Sequence, residues 1–418
     1  MSEAAAMLGY MKETIHSMLR RCIGWDYSQP CIYMITVVLA DRQSQALGRL
    51  EGGIIADNRT PDSPHIALTP LGRAVEECWE AIPRFYQQVK IIAKQVMPDH
   101  FHGILWVKEP LGCHLGQVIK GFKLGCNKAA RGIAGNIGDN RTTDNRTPGL
   151  FAEGFQDTIL FREGQLEKMI AYIKDNPRRL AEKRANPRLF TRVADLAVPV
   201  NIAGSVIADN IGDHRTLHFS AIGNRALLER PMIQVQCSRR FLGYRRIPKP
   251  GGGLKIARDA EGRAIVEFAT PEFEEKRSEL LAAARHGAAV ISPCISDGEK
   301  QIAREALDAG LPLIVMQNKG FAPLQKPAGR YFDACAAGRL LMLAPAAWPY
   351  TPAEKKITRQ DALAMNRLCE WLAGSVIGDN IADNRTRDNI GDHRTRPRYH
   401  GRTPADIDSL ALAAARRS

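Results

Sequence analysis

The sequence predicts two domains: a ferredoxin-like α+β domain followed by a smaller α/β domain with a Rossmann-like parallel sheet. Between residues 31 and 190, apolar runs of strand and helix periodicity follow the order strand, helix, strand, strand, helix, strand, helix. That succession is typical of a ferredoxin-like sheet. Beyond residue 230, short apolar strands alternate with short helices, which predicts a parallel βαβαβ sheet.

Composition narrows the class of protein. The 418 residues suffice for about two or three domains, each with its own core. A formal net charge of +13 indicates a polyanionic partner, of which nucleic acid is the commonest; the alternative is that the charge serves solubility alone. No apolar run approaches the roughly 20 residues of a membrane span, so we expect no membrane partner.

Cysteine usage and the N-terminal sequence indicate the compartment. Nine cysteines, an odd number without a CxxC pair, are typical of reduced thiols, and they make a zinc knuckle unexpected. Glu3 and Glu13 lie where a secretory signal would have a basic and then an apolar region. We therefore expect a cytoplasmic protein.

The first domain begins after an N-terminal helical extension, residues 1–30. CIYMITVVLA from Cys31 is rich in β-branched residues and predicts the first strand. Thr69 can then cap a helix that has Pro70 at its first position. The runs VKIIAKQVM and HFHGILWV, separated by Pro98 and Asp99, predict a two-stranded hairpin.

Two helices and a strand complete this domain. HLGQVIKGFKLGCNKAAR has helical spacing and basic side chains that can meet phosphates. LFAEGFQDTILF predicts a strand, and the residues after it predict a long helix that Pro177 breaks or bends. The domain is expected to span residues 31–190.

A short repeat interrupts the chain. DNRT begins at Asp57, Asp139, Asp144 and Asp383, and DHRT begins at Asp213 and Asp392. The copies fall at irregular intervals, so they do not form a solenoid, and their Asp, Asn, Gly and Arg residues favour loops. We interpret them as a short DNA element inserted between structural elements and in the tail, where loops tolerate it. The copies from Asp213 onwards mark an expected linker at 191–230 and an expected basic tail at 375–418.

The second domain is expected to span residues 231–374. Ser292, Ser296 and Gly298 lie where a parallel strand meets a helix N-terminus, a common position for a phosphate. Ordinary turn and cap chemistry explains them equally well. The run Gly251 to Gly253 lacks the lysine and the spacing of a phosphate loop and predicts a turn. No catalysis is assigned to this domain.

The stretch VMPDHFHGILWV contains the candidate chemistry. In a β-strand, His100 and His102 project from the same face, while Phe101, Gly103 and Leu105 line the other. Two adjacent imidazoles suit a divalent metal ion. The alternative is a pair of half-buried structural histidines, which is the commoner meaning of an isolated His-x-His motif.

A second cue lies on the long helix. Tyr172 and Asn176 are separated by one helical turn and share a face. If that face packs beside the histidine strand, Asn176 can complete a three-ligand metal site with Tyr172 next to it. The alternative is a tyrosine at the edge of the core and an asparagine cap.

The motifs PDHFHGILWV, GFKLGCNKAAR and FAEGFQDTILFREGQLEKMIAYIKDNP together resemble the HUH-type single-tyrosine transposases, specifically the REP-associated tyrosine transposases, over about residues 31–190. The resemblance implies an HUH domain in which His100 and His102 bind Mg²⁺ or Mn²⁺, with Asn176 as a weaker ligand. Tyr172 would nick single-stranded DNA and form a 5′-phosphotyrosine. Thr158 stands where the family often has a histidine. A faint resemblance links residues 285–345 to Rossmann-like DNA-processing proteins.

The resemblance implies a DNA transposase acting on hairpin-bearing single strands, as a homodimer. Expected contacts with the DNA backbone come from basic residues on the two helices: Lys120, Lys123, Lys128, Arg131, Arg178 and Arg179. Phe122 or Trp106 is expected to stack on a base. The alternative function is a domesticated single-stranded DNA-binding protein that has lost turnover. A replication or conjugation initiator is a third possibility, but it usually carries its tyrosine ahead of the histidines.

Overall fold

The computed structural model describes residue 22 and residues 24–53, 63–133, 149–202, 213–237, 241–249, 252–259, 262–352 and 356–375. The chain divides into two compact units, Met1–Ala185 and Asn186–Ser418. Most of the expected N-terminal helical extension and all but the first residue of the expected basic tail lie outside the described residues.

The first unit contains six strands and four helices among its described residues. The strands are β1 (Cys31–Val38), β2 (Gly48–Glu51), β3 (His65–Leu68), β4 (Val89–Val96), β5 (His100–Val107) and β6 (Gln156–Leu160). The helices are α1 (Pro70–Glu80), α2 (Ile82–Phe85), α3 (Leu115–Ile133) and α4 (Gln165–Ala185).

Four strands form one antiparallel sheet in the order β4-β5-β1-β6. The unit is therefore an α+β fold, with its main elements in the predicted order. The predicted hairpin is β4 and β5, joined across Pro98 and Asp99. Strands β2 and β3 form a separate hairpin that the sequence analysis did not predict. Thr69 caps α1 as predicted, since its Oγ1 accepts a hydrogen bond from the backbone of Gly72 at 3.0 Å.

Side chains alternate between the two faces of this sheet, and each face packs on different helices. One face packs on α1 and α3 through a buried cluster that includes Tyr33, Ile35, Val37, Phe101 and Leu105. The other face packs on α4 through Met34, Ile104, Leu160 and Ile173. Burial of each such large apolar side chain contributes about 1.5–3 kcal/mol. The two predicted helices α3 and α4 thus lie on opposite faces of the sheet.

Helix α4 differs from its prediction at Pro177. A break or bend was expected there; the helix does not break but continues to Ala185, and Pro177 is buried. Asp175 forms ion pairs with Arg178 and Arg179 across the proline, both at 2.6 Å. Packing of α4 on the sheet and these ion pairs offset the backbone hydrogen bond that proline removes.

The second unit contains ten strands, five α-helices and a 3-10 helix among its described residues. The strands are β7 (Val193–Ile202), β8 (Asp213–Gly223), β9 (Met232–Gln234), β10 (Leu242–Tyr244), β11 (Arg246–Pro248), β12 (Leu254–Ile256), β13 (Val266–Ala269), β14 (Ala289–Ser292), β15 (Leu313–Met316) and β16 (Leu340–Pro345). The helices are α5 (Pro187–Phe190), α6 (Pro271–Arg285), α7 (Asp297–Asp308), α8 (Arg330–Ala336) and α9 (Arg359–Ser375), with the 3-10 helix at Arg225–Glu229.

A six-stranded sheet of order β7-β8-β16-β15-β14-β9 forms the centre of this unit. Strands β9, β14, β15 and β16 are parallel, as predicted. Strand β8 is antiparallel to β16, and β7 is antiparallel to β8, so the sheet is mixed. One face packs on α9, and the other packs on α6, α7 and α8.

Two expectations about this unit are wrong. Residues 191–230, expected to be a linker, contain β7, β8 and the 3-10 helix. The unit is also not the smaller of the two, because it spans the longer range. The linker was inferred from the repeat around residue 210, yet the last residues of that copy, Asp213 to Thr216, pair with β7 as the start of β8. The other copies of DNRT and DHRT lie outside the described residues.

All nine cysteines are free thiols. In the described residues, no helix has the length and apolar character needed to cross a membrane.

Candidate active site

The register of β5 places His100 and His102 on the sheet face that packs on α4. Val38 of β1 lies opposite His100, and Thr36 lies opposite His102. The two histidines project together, as their spacing predicts, with their Nε2 atoms 3.2 Å apart. His102 is buried and His100 is partly exposed.

Each Nδ1 atom has its own hydrogen-bond partner. Nδ1 of His100 lies 2.6 Å from Oδ1 of Asp99, and Nδ1 of His102 lies 2.8 Å from Oγ1 of Thr36. A carboxylate accepts a hydrogen bond, so Nδ1 of His100 carries the proton and its Nε2 presents a lone pair. If Nδ1 of His102 likewise donates to Thr36, two lone pairs face each other.

A shared metal ion relieves the repulsion between two facing lone pairs. Two imidazole nitrogens bound to one ion at about 2.1 Å lie roughly 3–3.4 Å apart, which matches the observed separation. Partners on the second ring nitrogen are also usual for metal-bound histidines. The histidine pair therefore fits a divalent ion.

The third ligand is less well defined. Asn176 of α4 is buried, and its Nδ2 donates to the carbonyl oxygen of Tyr172 at 3.0 Å, so its Oδ1 is the atom able to bind a metal. Within the described ranges, no three His, Cys, Asp or Glu side chains are grouped to hold a metal. The donor set fits an ion that keeps several water ligands, such as Mg²⁺ or Mn²⁺, better than a fully enclosed zinc ion.

Tyr172 lies against the histidine pair. Its ring meets that of His102 edge to face, with centroids 5.9 Å apart. The guanidinium carbon of Arg179 lies 5.4 Å from the centroid of the Tyr172 ring, close enough for a cation–π contact. The structure thus brings together His100, His102 and Tyr172, which are separated by about seventy residues in the sequence.

Burial controls the charge of this site. Burial is the largest cause, and the nearby charge of Lys183 acts in the same direction, so that the pKa of His102 is lowered to about 3. His102 is therefore a neutral imidazole near pH 7, the form that binds metals. Burial alone would raise the pKa of Asp99, but its hydrogen bond with His100 and the charge of Arg42 hold that pKa well below its ordinary value.

The sequence analysis missed the residues that orient the pair. Thr36 contacts His102, and Asp99 contacts His100. Arg42 in turn contacts Asp99, with its Nη2 2.6 Å from Oδ2 of that carboxylate. Asp99 directly precedes His100, and this adjacency was the one sequence feature that could have indicated that Asp99 orients the histidine. Thr36 depends on the register of β1 with β5, which the sequence does not reveal.

The structure separates the expected DNA-binding residues into two groups. Lys120, Lys123, Lys128 and Arg131 belong to α3, on the sheet face opposite the histidine pair. Nζ of Lys123 donates to the carbonyl oxygens of Ala152 and Gly154 at 2.5 and 2.9 Å. Arg178 and Arg179 lie on α4, and both pair with Asp175; Arg179 also contacts the ring of Tyr172.

The two aromatic candidates for base stacking also differ. Phe122 is 4% exposed and belongs to the core, so the expectation that it stacks on a base is wrong. Trp106 is 39% exposed and lies on the histidine face of β5. Ile104, between Trp106 and His102 on that face, is buried under α4.

The expected phosphate position in the second unit is filled by the protein itself. Ser296 caps α7, and the carboxylate of Glu299 accepts hydrogen bonds from the backbone N–H groups of Ile295 and Ser296 at 2.6 and 3.1 Å. The hydroxyl of Ser296 in turn accepts from the backbone N–H of Glu299 at 3.1 Å, a first-turn donor of the kind that a phosphate would use. Ser292 Oγ accepts from the backbone of Cys294 at 3.0 Å. Cap chemistry therefore explains this sequence, with Ser296 as the cap.

Comparisons with known proteins give distant similarities. No family model matches the chain. A curated, uncharacterized protein of Haemophilus influenzae is 24% identical over 173 residues, which cover 37% of this chain and 83% of that protein.

Two solved structures are similar to part of the chain. A REP-associated tyrosine transposase bound to a REP hairpin has 16% identity and a TM-score of 0.26. The similarity covers 41% of this chain and 74% of the transposase chain. A protein of Deinococcus radiodurans, provisionally described as a transposase, has 12% identity and a TM-score of 0.20. The similarity covers 37% of this chain and 97% of the Deinococcus protein. Similarity at this level does not establish a family.

Proposed function

We propose that this protein is a DNA transposase or nickase that cleaves and rejoins single-stranded DNA through a 5′-phosphotyrosine, at sequences that contain a hairpin. One observation carries the proposal. Two imidazole Nε2 atoms face each other at 3.2 Å, directly beside the ring of Tyr172. A pair of metal-binding nitrogens next to a phenol is an arrangement suited to phosphoryl transfer.

In this proposal, Tyr172 is the nucleophile. Its phenolic oxygen attacks the scissile phosphorus, the bond from phosphorus to the 3′ oxygen breaks, and the phenol loses its proton while the departing 3′ oxygen gains one. The new phosphotyrosine bond conserves the energy of the phosphodiester, so rejoining needs no ATP. The guanidinium of Arg179, over the Tyr172 ring, favours the phenolate that develops during attack.

His100, His102 and Asn176 would hold Mg²⁺ or Mn²⁺. When bound, the ion would polarise the scissile phosphate and stabilise the charge that develops on its oxygens. Asp99 and Thr36 hold the two imidazoles in place through Nδ1. Since imidazole is softer than the oxygen ligands that Mg²⁺ prefers, Mn²⁺ is expected to bind more tightly in vitro.

In this proposal, basic residues of α4 contact the reacting phosphate. Arg178, Arg179 and Lys183 lie on this helix, whereas the basic residues of α3 are on the other sheet face. We expect α3 to contact flanking DNA only. The family resemblance also implies a homodimer, which stays a prediction. Light scattering on the purified protein measures the oligomeric state.

One observation favours a second candidate, a single-stranded DNA-binding protein with weak or no turnover. The third ligand position has an amide, Asn176, which binds a metal more weakly than a carboxylate or a third imidazole. Such a protein would keep the scaffold and the DNA contacts.

A covalent-adduct assay separates the two candidates. The full chain is incubated with labelled single-stranded hairpin DNA and Mn²⁺, beside Tyr172→Phe and the control Tyr350→Phe, which changes a partly exposed tyrosine of the second unit. A transposase forms a protein–DNA adduct in the wild type and in Tyr350→Phe but not in Tyr172→Phe. Binding without adduct under Mg²⁺ and Mn²⁺ would support the DNA-binding candidate instead.

A further inference from the structure

The second unit presents a β-arm formed by β10, β11, β12 and β13. Strand β10 pairs with β13, and β11 pairs with β12, both antiparallel. Backbone bonds join the two hairpins, since the N–H of Ala257 donates to the carbonyl oxygen of Arg245 and the N–H of Arg245 donates to that of Ile265. The turn predicted at Gly251 to Gly253 lies in this arm, where the backbone of Gly252 donates to the carbonyl oxygen of Lys249.

No residue of the β11–β12 hairpin belongs to the protein core. All six of its strand residues are exposed. An isolated two-stranded hairpin is marginally stable in water, because it lacks a buried apolar face. Its exposed side chains nevertheless include Ile247, Leu254 and Ile256, with exposures of 38, 57 and 37%. This surface therefore suits contact with another molecule.

Exposed basic side chains are interspersed with these apolar ones. The described cations of the arm are Arg245, Arg246, Lys249, Lys255, Arg258 and Arg263. Its two described carboxylates, Glu267 and Asp259, are paired with arginines of the arm itself, at 3.3 and 2.6 Å. In the described ranges, no carboxylate pairs with Arg246, Lys249 or Lys255.

An aromatic ring on the arm is fixed in place. Phe268 is 63% exposed, and it lies opposite Gly243 in the pairing of β10 with β13. A Cβ atom at Gly243 would come within 2.0 Å of Cε1 of Phe268, so the ring covers the glycine backbone. One side of the ring rests on the strand, and the rest of it is open to a stacking partner.

We infer that this β-arm is a second nucleic-acid-binding site, which holds a single strand by its phosphates on Arg246, Lys249 and Lys255 and by a base stacked on Phe268. Arg246 and Lys255 lie on opposite faces of the β11–β12 pair, so the strand would pass over an edge of the arm. Cations beside exposed aromatic and aliphatic side chains are the features that bind single strands without sequence preference. A duplex hides its base faces, so it cannot use Phe268 in this way. A second copy is disfavoured, because the chain carries a net charge of +13 and its arm would meet a like charge.

The inference goes beyond the proposed nicking function, since binding by the arm requires neither metal nor Tyr172. The test uses the full chain in EDTA, with labelled oligo-dT and oligo-rU of 20 nucleotides and a duplex of equal length. Affinity is measured by fluorescence anisotropy over a range of salt concentrations. The affinities for oligo-dT and oligo-rU show whether the arm prefers single-stranded DNA or single-stranded RNA.

The charge variant is Arg246→Gln/Lys249→Gln/Lys255→Gln. Loss of three phosphate contacts should reduce the magnitude of the slope of log affinity against log salt by about 2, since each contact to a single strand contributes roughly 0.7. The matched control, Arg230→Gln/Arg285→Gln/Lys356→Gln, removes the same charge from exposed residues elsewhere in the unit and should leave the slope nearly unchanged. Equal slopes for the two variants would overturn the inference.

The stacking variants are Phe268→Leu and Phe268→Tyr. Leucine removes the ring and should weaken single-strand binding by about 5- to 100-fold, whereas tyrosine keeps the ring and should bind within about twofold of wild type. Neither should weaken duplex binding. Circular dichroism confirms that each variant is folded. Phe268→Leu binding with wild-type affinity, or an equal loss with the duplex, would show that Phe268 does not stack on a base.

Discussion

The orientation of each imidazole in the histidine pair depends on one further side chain. Asp99 holds His100, and Thr36 holds His102, both through Nδ1. Both contacts leave Nε2 directed at the other ring, so the two partners determine whether the pair can share an ion.

Thr36→Val tests this orientation. The substitution keeps the shape of the side chain but removes the hydroxyl that contacts Nδ1 of His102, so we expect Mn²⁺ affinity to fall by about 10- to 100-fold. Titration of Mn²⁺ followed by electron paramagnetic resonance measures this. Thr158→Val is the matched control, because Thr158 is exposed on β6 and lies opposite Met34 instead of a histidine. Equal affinities of the two variants would exclude a positioning role for Thr36.

The buried His102 also makes stability depend on pH. Its pKa in the folded protein is about 3, against an ordinary value of 6.5. Between these values the unfolded chain binds a proton that the folded protein does not, so the free energy of unfolding falls as pH falls from 6.5 towards 3. Urea denaturation in EDTA at pH 6.5 and 4.5 measures this, and carboxylates that titrate near the lower pH are common to the wild type and its variants.

The pH dependence is assigned by a pair of variants. His102→Asn should lose less stability between pH 6.5 and 4.5 than wild type, because the titrating group is gone. His286→Asn changes an exposed histidine of the second unit and should behave as wild type. A His102→Asn variant with the full wild-type dependence would assign the effect to another group.

At the scale of elements, β5 serves two functions through its two faces. Its histidine face meets α4 and the candidate site, while its other face packs on Trp79 of α1 and Phe122 of α3. Gly103 makes this packing possible, since a Cβ atom there would lie 2.3 Å from Cζ2 of Trp79. The position of the histidines therefore depends on a close contact on the opposite side of the strand.

Two glycine substitutions are expected to have opposite effects on stability. Gly103→Ala forces the Trp79 ring to move and should destabilise the protein by about 1–3 kcal/mol. Gly121→Ala, in α3, meets nothing within 4 Å and should stabilise it by about 0.5–1 kcal/mol through helix propensity. Chemical denaturation of both variants checks this. Destabilisation by both would indicate that space at Gly103 is not the deciding factor.

At the scale of the whole molecule, two mixed α/β units follow each other in one chain, and the repeats fall at several points along both. The copy from Asp57 lies between β2 and β3, and those from Asp139 and Asp144 lie between α3 and β6. The copy that ends at Thr216 contributes backbone pairs to β8. We therefore expect this copy to matter more for folding than a copy inserted in a loop.

Deletion variants test that difference. Removing residues 54–62 leaves β2 and β3 to close a shorter loop and should change the free energy of unfolding by less than about 1 kcal/mol. Removing Asp213–Thr216 instead takes away four of the residue pairs between β7 and β8 and should destabilise the second unit strongly. Thermal unfolding monitored by circular dichroism measures both. A large loss from the first deletion would contradict the interpretation of these copies as tolerated insertions.

The sequence by itself determined the features that depend on local periodicity. Alternation along β5 placed His100 and His102 on one face, helical spacing placed Tyr172 and Asn176 on one side of α4, and apolar runs predicted the order of elements in the first unit. The capping of α1 by Thr69 was likewise predictable, because a cap and its helix are neighbours in sequence. Such patterns repeat over a few residues, so they can be recognised without knowledge of the fold.

The tertiary structure alone decided which distant residues meet. It paired Thr36 with His102, placed α3 and its lysines on the sheet face away from Tyr172, and added β7 and β8 where a linker was expected. It also filled the expected phosphate position with Glu299. Strand register and the choice of sheet face result from packing between residues far apart in the chain, and local periodicity contains no information about that packing.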